Sequence, residues 1–268
     1  MARAGTGPDF IEALARGLDV LKAFRVGRPT MTLSEVAAEA GLPRPTARRV
    51  LITLHQLGYV RGDAGTFSLT PRVLELGMAY VDSLGLWDIA RPHMEALGAR
   101  TNESISIAQL DGSDIVYVAR VAVPKIVTLS VTIGTRFPAL QTSLGKVLLA
   151  ALPDDEVDAT LAQPSRSGIT PVWQPTPDER MSTLREVRAR GWAMTDEQLA
   201  AGIRSVAAPL RDSDGVVIAA MNVNAHARET SVETLTKVYL PALLETAGEV
   251  SADFARRMTL PHARVTAS

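Results

Sequence analysis

Cysteine is absent from the 268 residues. That absence removes disulfide scaffolds, thiol nucleophiles and cysteine-bound metal or redox centres together. Histidine is scarce, and His55, His93, His226 and His262 are too scattered to read as a metal cluster. No apolar run approaches the ~18 residues that a spanning helix needs; the longest, Gly215 to Val223, is strand-sized. The N-terminus lacks a basic-then-apolar leader pattern, so a cytoplasmic protein is expected, with no membrane partner. Gly-x-Ser-x-Gly, phosphate-loop and His-Glu-x-x-His patterns are also missing. No catalytic residue, metal ligand or cofactor is therefore assigned.

What remains is ordinary globular material, 46% hydrophobic and 21% charged, and its length suits two modest domains. The net charge of -1 argues at first against a nucleic-acid partner. It averages over unlike parts. Residues 1–85 carry ten basic and eight acidic side chains, the remainder 18 and 21. Within the first part, Gly41 to Val50 holds Arg44, Arg48 and Arg49 with no acid. Arginine's planar fork suits phosphates, guanine edges and carboxylates.

Apolar periodicity and capping signals organise the chain. Asp9 and Glu12 have capping-box spacing, followed by Phe10, Leu14, Leu18 and Leu21 at helical intervals. Arg25 to Met31 reads as a loop. Thr32 and Glu35 open a short helix that Gly41 closes, and Pro43 and Pro45 open a third that runs to Gly58. Tyr59–Arg61 and Thr66–Leu69 flank a Gly62–Gly65 turn as a hairpin. Thr70 and Pro71 then start a helix from Arg72 to about Leu84. The remainder reads as mixed α and β. Helices are expected at 86–100, 143–152, 154–161, 178–190 and 232–258. Strands are expected at 105–107, 115–121, 127–133, 203–210 and 216–223, and a loose tail after 259.

Two short helices joined by a tight glycine turn, the second rich in exposed arginine, followed by a hairpin, describe a winged helix-turn-helix. Thr46 suits a phosphate or a thymine methyl; Arg44, Arg48 and Arg49 suit phosphate or guanine; Arg61 on the wing suits backbone or minor groove. The alternative is a solvated face on a core helix.

Several stretches resemble the IclR family of bacterial transcription regulators: Leu14 to Leu21, Leu33 to Ala37, Gly41 to Leu51, Leu57 to Val60, Thr142 to Ala150 and Ser205 to Leu210. They keep the family's order and spacing over about residues 10–255. Phe67 to Gly77, Asp114 to Val121 and Gly134 to Ala139 resemble the branch that controls protocatechuate, 4-hydroxybenzoate and β-ketoadipate pathway genes. The resemblance implies an α+β chain. A winged helix-turn-helix (1–70) and a linker helix (71–85) would precede a GAF-like effector-binding domain with a curved antiparallel sheet (86–258) and a tail (259–268). It implies a homodimer or tetramer on a pseudo-palindromic double-stranded DNA operator. The expected effector is a small organic acid such as protocatechuate, 4-hydroxybenzoate or β-ketoadipate.

The family's pocket, carried over residue by residue, falls on Ser143, Leu144, Gly145, Asp196, Ser205, Asn222 and Asn224. Many members have Cys at the position of Ser205 and Ser at those of Asn222 and Asn224. Arg120 and Arg136 are added as carboxylate anchors, against a reading as surface-paired arginines. Val73, Leu76, Met78, Tyr80, Val81 and Leu84 are candidates for a dimer contact. Two other functions compete: an enzyme using the same pocket as its active site, and a DNA-binding protein that needs no ligand.

Overall fold

The computed structural model describes residues 7–25, 27–77, 80, 85–124 and 131–259. Two compact units emerge, Met1–Ser83 and Leu84–Ser268.

In the first unit, α1 (Glu12–Ala23) follows Ile11 without a side-chain cap, so the expected Asp9–Glu12 box does not form. The segment 25–31, read as a loop, ends in a short strand, β1 (Thr30–Thr32). Three residues are too few for a period-two pattern to register. The box at α2 (Leu33–Glu39) does form: Thr32 accepts from the Glu35 N–H while Glu35 accepts from the Thr32 N–H at 2.8 Å. Gly41, at φ +64°, ends it; the N–H groups of Gly41 and Leu42 return to the carbonyls of Ala38 and Ala37. This left-handed step is the turn of the helix-turn-helix. The next helix, α3 (Arg44–Gln56), buries Ala47, Leu51 and Leu54 in a small core with Val20, Phe24, Met31, Val36 and Val60.

The wing is β2 (Val60–Asp63) and β3 (Thr66–Leu69), with β1 pairing on the far side of β3. Its two-residue turn places Ala64 at φ +45° and Gly65 at φ +84°. After the wing, Thr70 accepts from the Arg72 N–H and donates to the Gly58 carbonyl at 2.5 Å. The expected linker helix begins as a 3-10 turn, Pro71–Val73, and continues helically over 74–77. Met78, Val81 and Leu84 fall outside the described residues.

The second unit holds a six-stranded, wholly antiparallel, curled sheet in the order β6-β5-β4-β9-β8-β7. Its strands are β4 (Ser104–Asp111), β5 (Asp114–Val121), β6 (Arg136–Pro138), β7 (Ala193–Asp196), β8 (Ile203–Arg211) and β9 (Val217–His226). Strand alternation sorts the side chains onto two faces. Ile105, Ile107, Val206, Ala208, Leu210, Met221 and Val223 pack on one face against α4 (Leu86–Thr101) and the long C-terminal helix Leu240–Thr259. Ala108, Tyr117, Ala207 and Ala220 face α5 (Ser143–Ala150), α6 (Asp154–Leu161) and α7 (Pro177–Arg190).

Two strands lie outside the sequence reading, and a third expectation is only partly covered by the described residues. Both β6 and β7 were missed, being only three and four residues long. The expected strand at 127–133 lies mostly outside the described residues, and its described end, 131–133, carries no strand. The C-terminal helix is reached through a helical turn, Val232–Thr234, and a π-helical stretch, Leu235–Tyr239, rather than as one even helix. The tail from 260 onward is outside the described residues.

Candidate functional sites

On α3, Arg44, Arg48 and Arg49 are exposed and Thr46 is half-buried. Among the described residues none of the three arginines has an ion-pair partner. Arg44 and Arg48 sit one turn apart, while Thr46 and Arg49 border the side facing α1. Arg61 is exposed on the wing, where its Nε donates to Ser68 Oγ of the paired strand at 2.9 Å. Uncompensated guanidiniums at the open start of a helix form a cationic edge suited to DNA phosphates.

Beside this edge lies an apolar groove of about 830 Å³ between α1 and α3, lined by Leu14, Leu18, Leu57 and Leu76 among others. These leucines are more than 40% exposed. Tyr80, also exposed, belongs to the same unit.

In the second unit, polar side chains gather on one face of the sheet. The register aligns Thr195, Ser205, Asn224 and Ser104 across four strands, and Asn222, Ser106 and Arg120 across three. Most of these side chains are buried, Asn222 to 3% exposure. Ser143, at the start of α5, meets them: its Oγ lies 2.7 Å from Ser205 Oγ, which is 2.9 Å from Thr195 Oγ1. Thr142 caps α5 by accepting from the Gly145 N–H. The N–H groups of Ser143 and Leu144 then have no intrahelical acceptor. Leu144 is fully buried in the core behind them. Gly145 answers to packing, since a Cβ there would meet the Ala139 carbonyl oxygen at 2.0 Å.

A cavity of about 20 Å³, room for a single water, lies at this junction. Ser205, Asn222 and Asn224 line it, as do Thr195, Thr142, Tyr117, Phe137, Leu199 and Ile203. Tyr117 and Phe137 meet edge to face at 5.7 Å. Burial pushes the Tyr117 phenol up to about 12, opposed by the charge of Arg120. Asn222 Oδ1 is buried without a hydrogen-bond partner among the described residues. Arg120 is half-buried on the same face, and its Nη1 donates to Ser106 Oγ at 3.0 Å.

Of the residues expected in the pocket, Ser205, Asn222 and Asn224 line the cavity, Ser143 touches it through Ser205, Leu144 and Gly145 pack behind it, Arg120 lies along the same sheet face, and Asp196 and Arg136 lie elsewhere. Asp196 follows Thr195 on β7, so the two point to opposite faces. Thr195 faces the cavity, whereas Asp196 accepts from Arg204 Nε at 2.7 Å on the outer side. Arg136 is committed at the sheet edge, donating to Asp111 at 2.7 Å and to the buried Asp114 at 3.3 Å. Thr142, Thr195, Tyr117, Val131, Phe137, Leu199 and Ile203 line the cavity without having been expected there, because no local pattern places them together.

Two family models match this chain: the IclR helix-turn-helix domain over residues 13–64 and the bacterial transcriptional regulator IclR C-terminal domain over residues 78–252. The chain belongs to the IclR family of transcription regulators. Among curated relatives of this regulator is the Pca regulon regulatory protein of Pseudomonas putida, 37% identical over 90% of this chain and 84% of that protein. The p-hydroxybenzoate hydroxylase transcriptional activator of Acinetobacter baylyi is 33% identical, covering 90% of this chain and 91% of its own. Among solved structures, an IclR homolog from Microbacterium hydrocarbonoxydans, complexed with 4-hydroxybenzoate, superposes with a TM-score of 0.78 at 29% identity, covering 91% of this chain and 99% of that one. The named relatives are transcription regulators rather than enzymes.

Proposed function

We propose that this regulator controls genes of aromatic-acid breakdown, and that its effector is a hydroxylated aromatic acid, protocatechuate or 4-hydroxybenzoate, bound at the cavity lined by Ser205, Asn222 and Asn224. One observation carries the choice: Asn222 Oδ1 is a buried acceptor with no donor among the described residues, on a cavity wall. Leaving such a group unpaired costs about 1–3 kcal/mol. A phenolic hydroxyl satisfies it; β-ketoadipate, with carboxylates and a ketone, has no donor to offer. The relatives named for p-hydroxybenzoate hydroxylase control and for a 4-hydroxybenzoate complex support the same class. Arg120 lies two strands from Asn222 on the same face, a separation of roughly 10 Å. Its guanidinium, with no carboxylate partner among the described residues, is the anchor for the effector's carboxylate.

Residues 1–70 form the DNA-binding domain, 71–85 the linker helix and 86–258 the effector-binding domain in this reading. Arg44, Thr46, Arg48, Arg49 and Arg61 make the DNA contacts. The apolar groove of α1 and α3 supports a homo-oligomer, whose paired heads meet the two halves of a pseudo-palindromic operator. Effector binding shifts the oligomer between arrangements that differ in operator affinity.

Calorimetry with 4-hydroxybenzoate, protocatechuate, benzoate and β-ketoadipate tests the effector class. The hydroxylated acids are expected to bind at least about tenfold tighter than benzoate. Equal affinity for benzoate, or a preference for β-ketoadipate, refutes it.

A further inference from the structure

The cavity holds about one water, so an aromatic acid enters only if a wall moves. Most of the wall is sheet or helix. Val131 and Leu199 stand outside both, and Leu199 stands on the segment between β7 and β8. That segment is bounded by Glu197 at φ +55° and Gly202 at φ +79°, two backbone positions that act as natural pivots. Gln198, beside Leu199, is held from two sides. Its carbonyl accepts from the Trp173 N–H at 3.0 Å, and its Oε1 accepts from Lys146 Nζ at 2.5 Å. Trp173 is itself tied down, its carbonyl accepting from Gln141 Nε2 at 3.2 Å and its ring lying 4.6 Å from Lys146 Nζ.

Lys146 is 2% exposed and has no carboxylate within ion-pair distance among the described residues. Burying an ammonium that way is costly. Its amide and aromatic contacts are the compensation: one goes to Gln198, next to the lining residue Leu199, and the other to Trp173, which itself holds the Gln198 carbonyl. Lys146 also lies one turn along α5 from its N-cap Thr142, so the same helix start carries a lining hydroxyl and the hold on the wall.

We propose that Lys146 is a positioning residue that latches the 197–203 segment over the effector cavity through Gln198 and Trp173, and that effector entry requires this latch to open. The proposal rests on the cavity being the effector site. Burial pushes the Lys146 ammonium down to about 8; Arg190 lowers it further and Glu186 opposes this, both from α7. The aromatic half of the latch needs the charged form, so the latch loosens above that pH.

Two measurements test it. In a Trp87→Phe, Trp192→Phe background, Trp173 emission should titrate with a midpoint near 8, and Lys146→Met should abolish the transition. No transition in the parent overturns the latch. Stopped-flow binding of 4-hydroxybenzoate should be about tenfold faster in Lys146→Met and in Gln198→Ala, and in the parent it should speed up above pH 8. Lys146→Arg should restore slow, pH-independent binding. Unchanged rates in both loss variants overturn the proposal, and Gln198→Ala serves alone if Lys146→Met does not fold. If the parent binds no hydroxybenzoate, the effector reading fails while the latch is still decided. Amides of 197–203 must then exchange faster in Gln198→Ala than in the parent, and equal exchange overturns it.

Discussion

Ser143 and Ser205 bring their hydroxyl oxygens to 2.7 Å across 62 residues of chain, one at a helix start and the other on a central strand. Thr195 extends the contact to a third element. Each hydroxyl is buried, so each depends on the others for hydrogen bonds. Replacing Ser205 by Val leaves Ser143 and Thr195 without that partner. A loss of about 1–3 kcal/mol in urea stability is expected, together with weakened 4-hydroxybenzoate binding and retained operator binding. Wild-type effector affinity in Ser205→Val would remove the hydroxyl chain from the site.

Arg44 and Arg48 are exposed and unpaired among the described residues, so their loss should spare the fold. Arg44→Ala with Arg48→Ala is expected to weaken operator binding at least about tenfold and to flatten the dependence of log K on log salt by about two. Thermal unfolding should stay within about 0.5 kcal/mol of wild type. Band shifts across a salt series check the first expectation and a melting curve the second. A comparable loss of stability would return these arginines to a purely structural role.

Gly145 faces the Ala139 carbonyl so closely that no Cβ fits without backbone displacement. Gly145→Ala should destabilise by about 3 kcal/mol or more, as an overpacked site with no flexible neighbour to yield. A Gly145→Ala protein of wild-type urea midpoint would contradict this.

Ala64 occupies a left-handed position in the wing turn ahead of Gly65. Alanine pays steric energy there that asparagine largely avoids. Ala64→Asn is expected to stabilise the DNA-binding unit by about 0.5–1 kcal/mol. A lower melting temperature would overturn the assigned turn type.

Lys146 gives a pH dependence with a defined sign. Folded, it loses its proton near 8, against an ordinary value of 10.5. Between those values the unfolded chain binds more protons, so this group makes the protein more stable as pH rises from about 8 to 10.5. Below 8 its contribution is flat. Urea titrations at pH 7, 8, 9 and 10 should show the rise in wild type relative to Lys146→Met; parallel curves would contradict the assigned proton loss.

Local rules decided much of this protein. Thr32 with Glu35, Gly41 and Pro43–Pro45 specify the helix-turn-helix because capping, left-handed glycine and helix-start proline act within a few residues. Alternation placed Asn222 and Asn224 on one face, since a strand repeats every two residues. Tertiary structure alone decided which of those faces closes a cavity. Strand β7 turned Asp196 outward and Thr195 inward, Asp111 and Asp114 drew Arg136 to the sheet edge, and Lys146 met Trp173 across the fold. Those outcomes depend on partners 8 to 27 residues away, whose distance in space no local periodicity encodes.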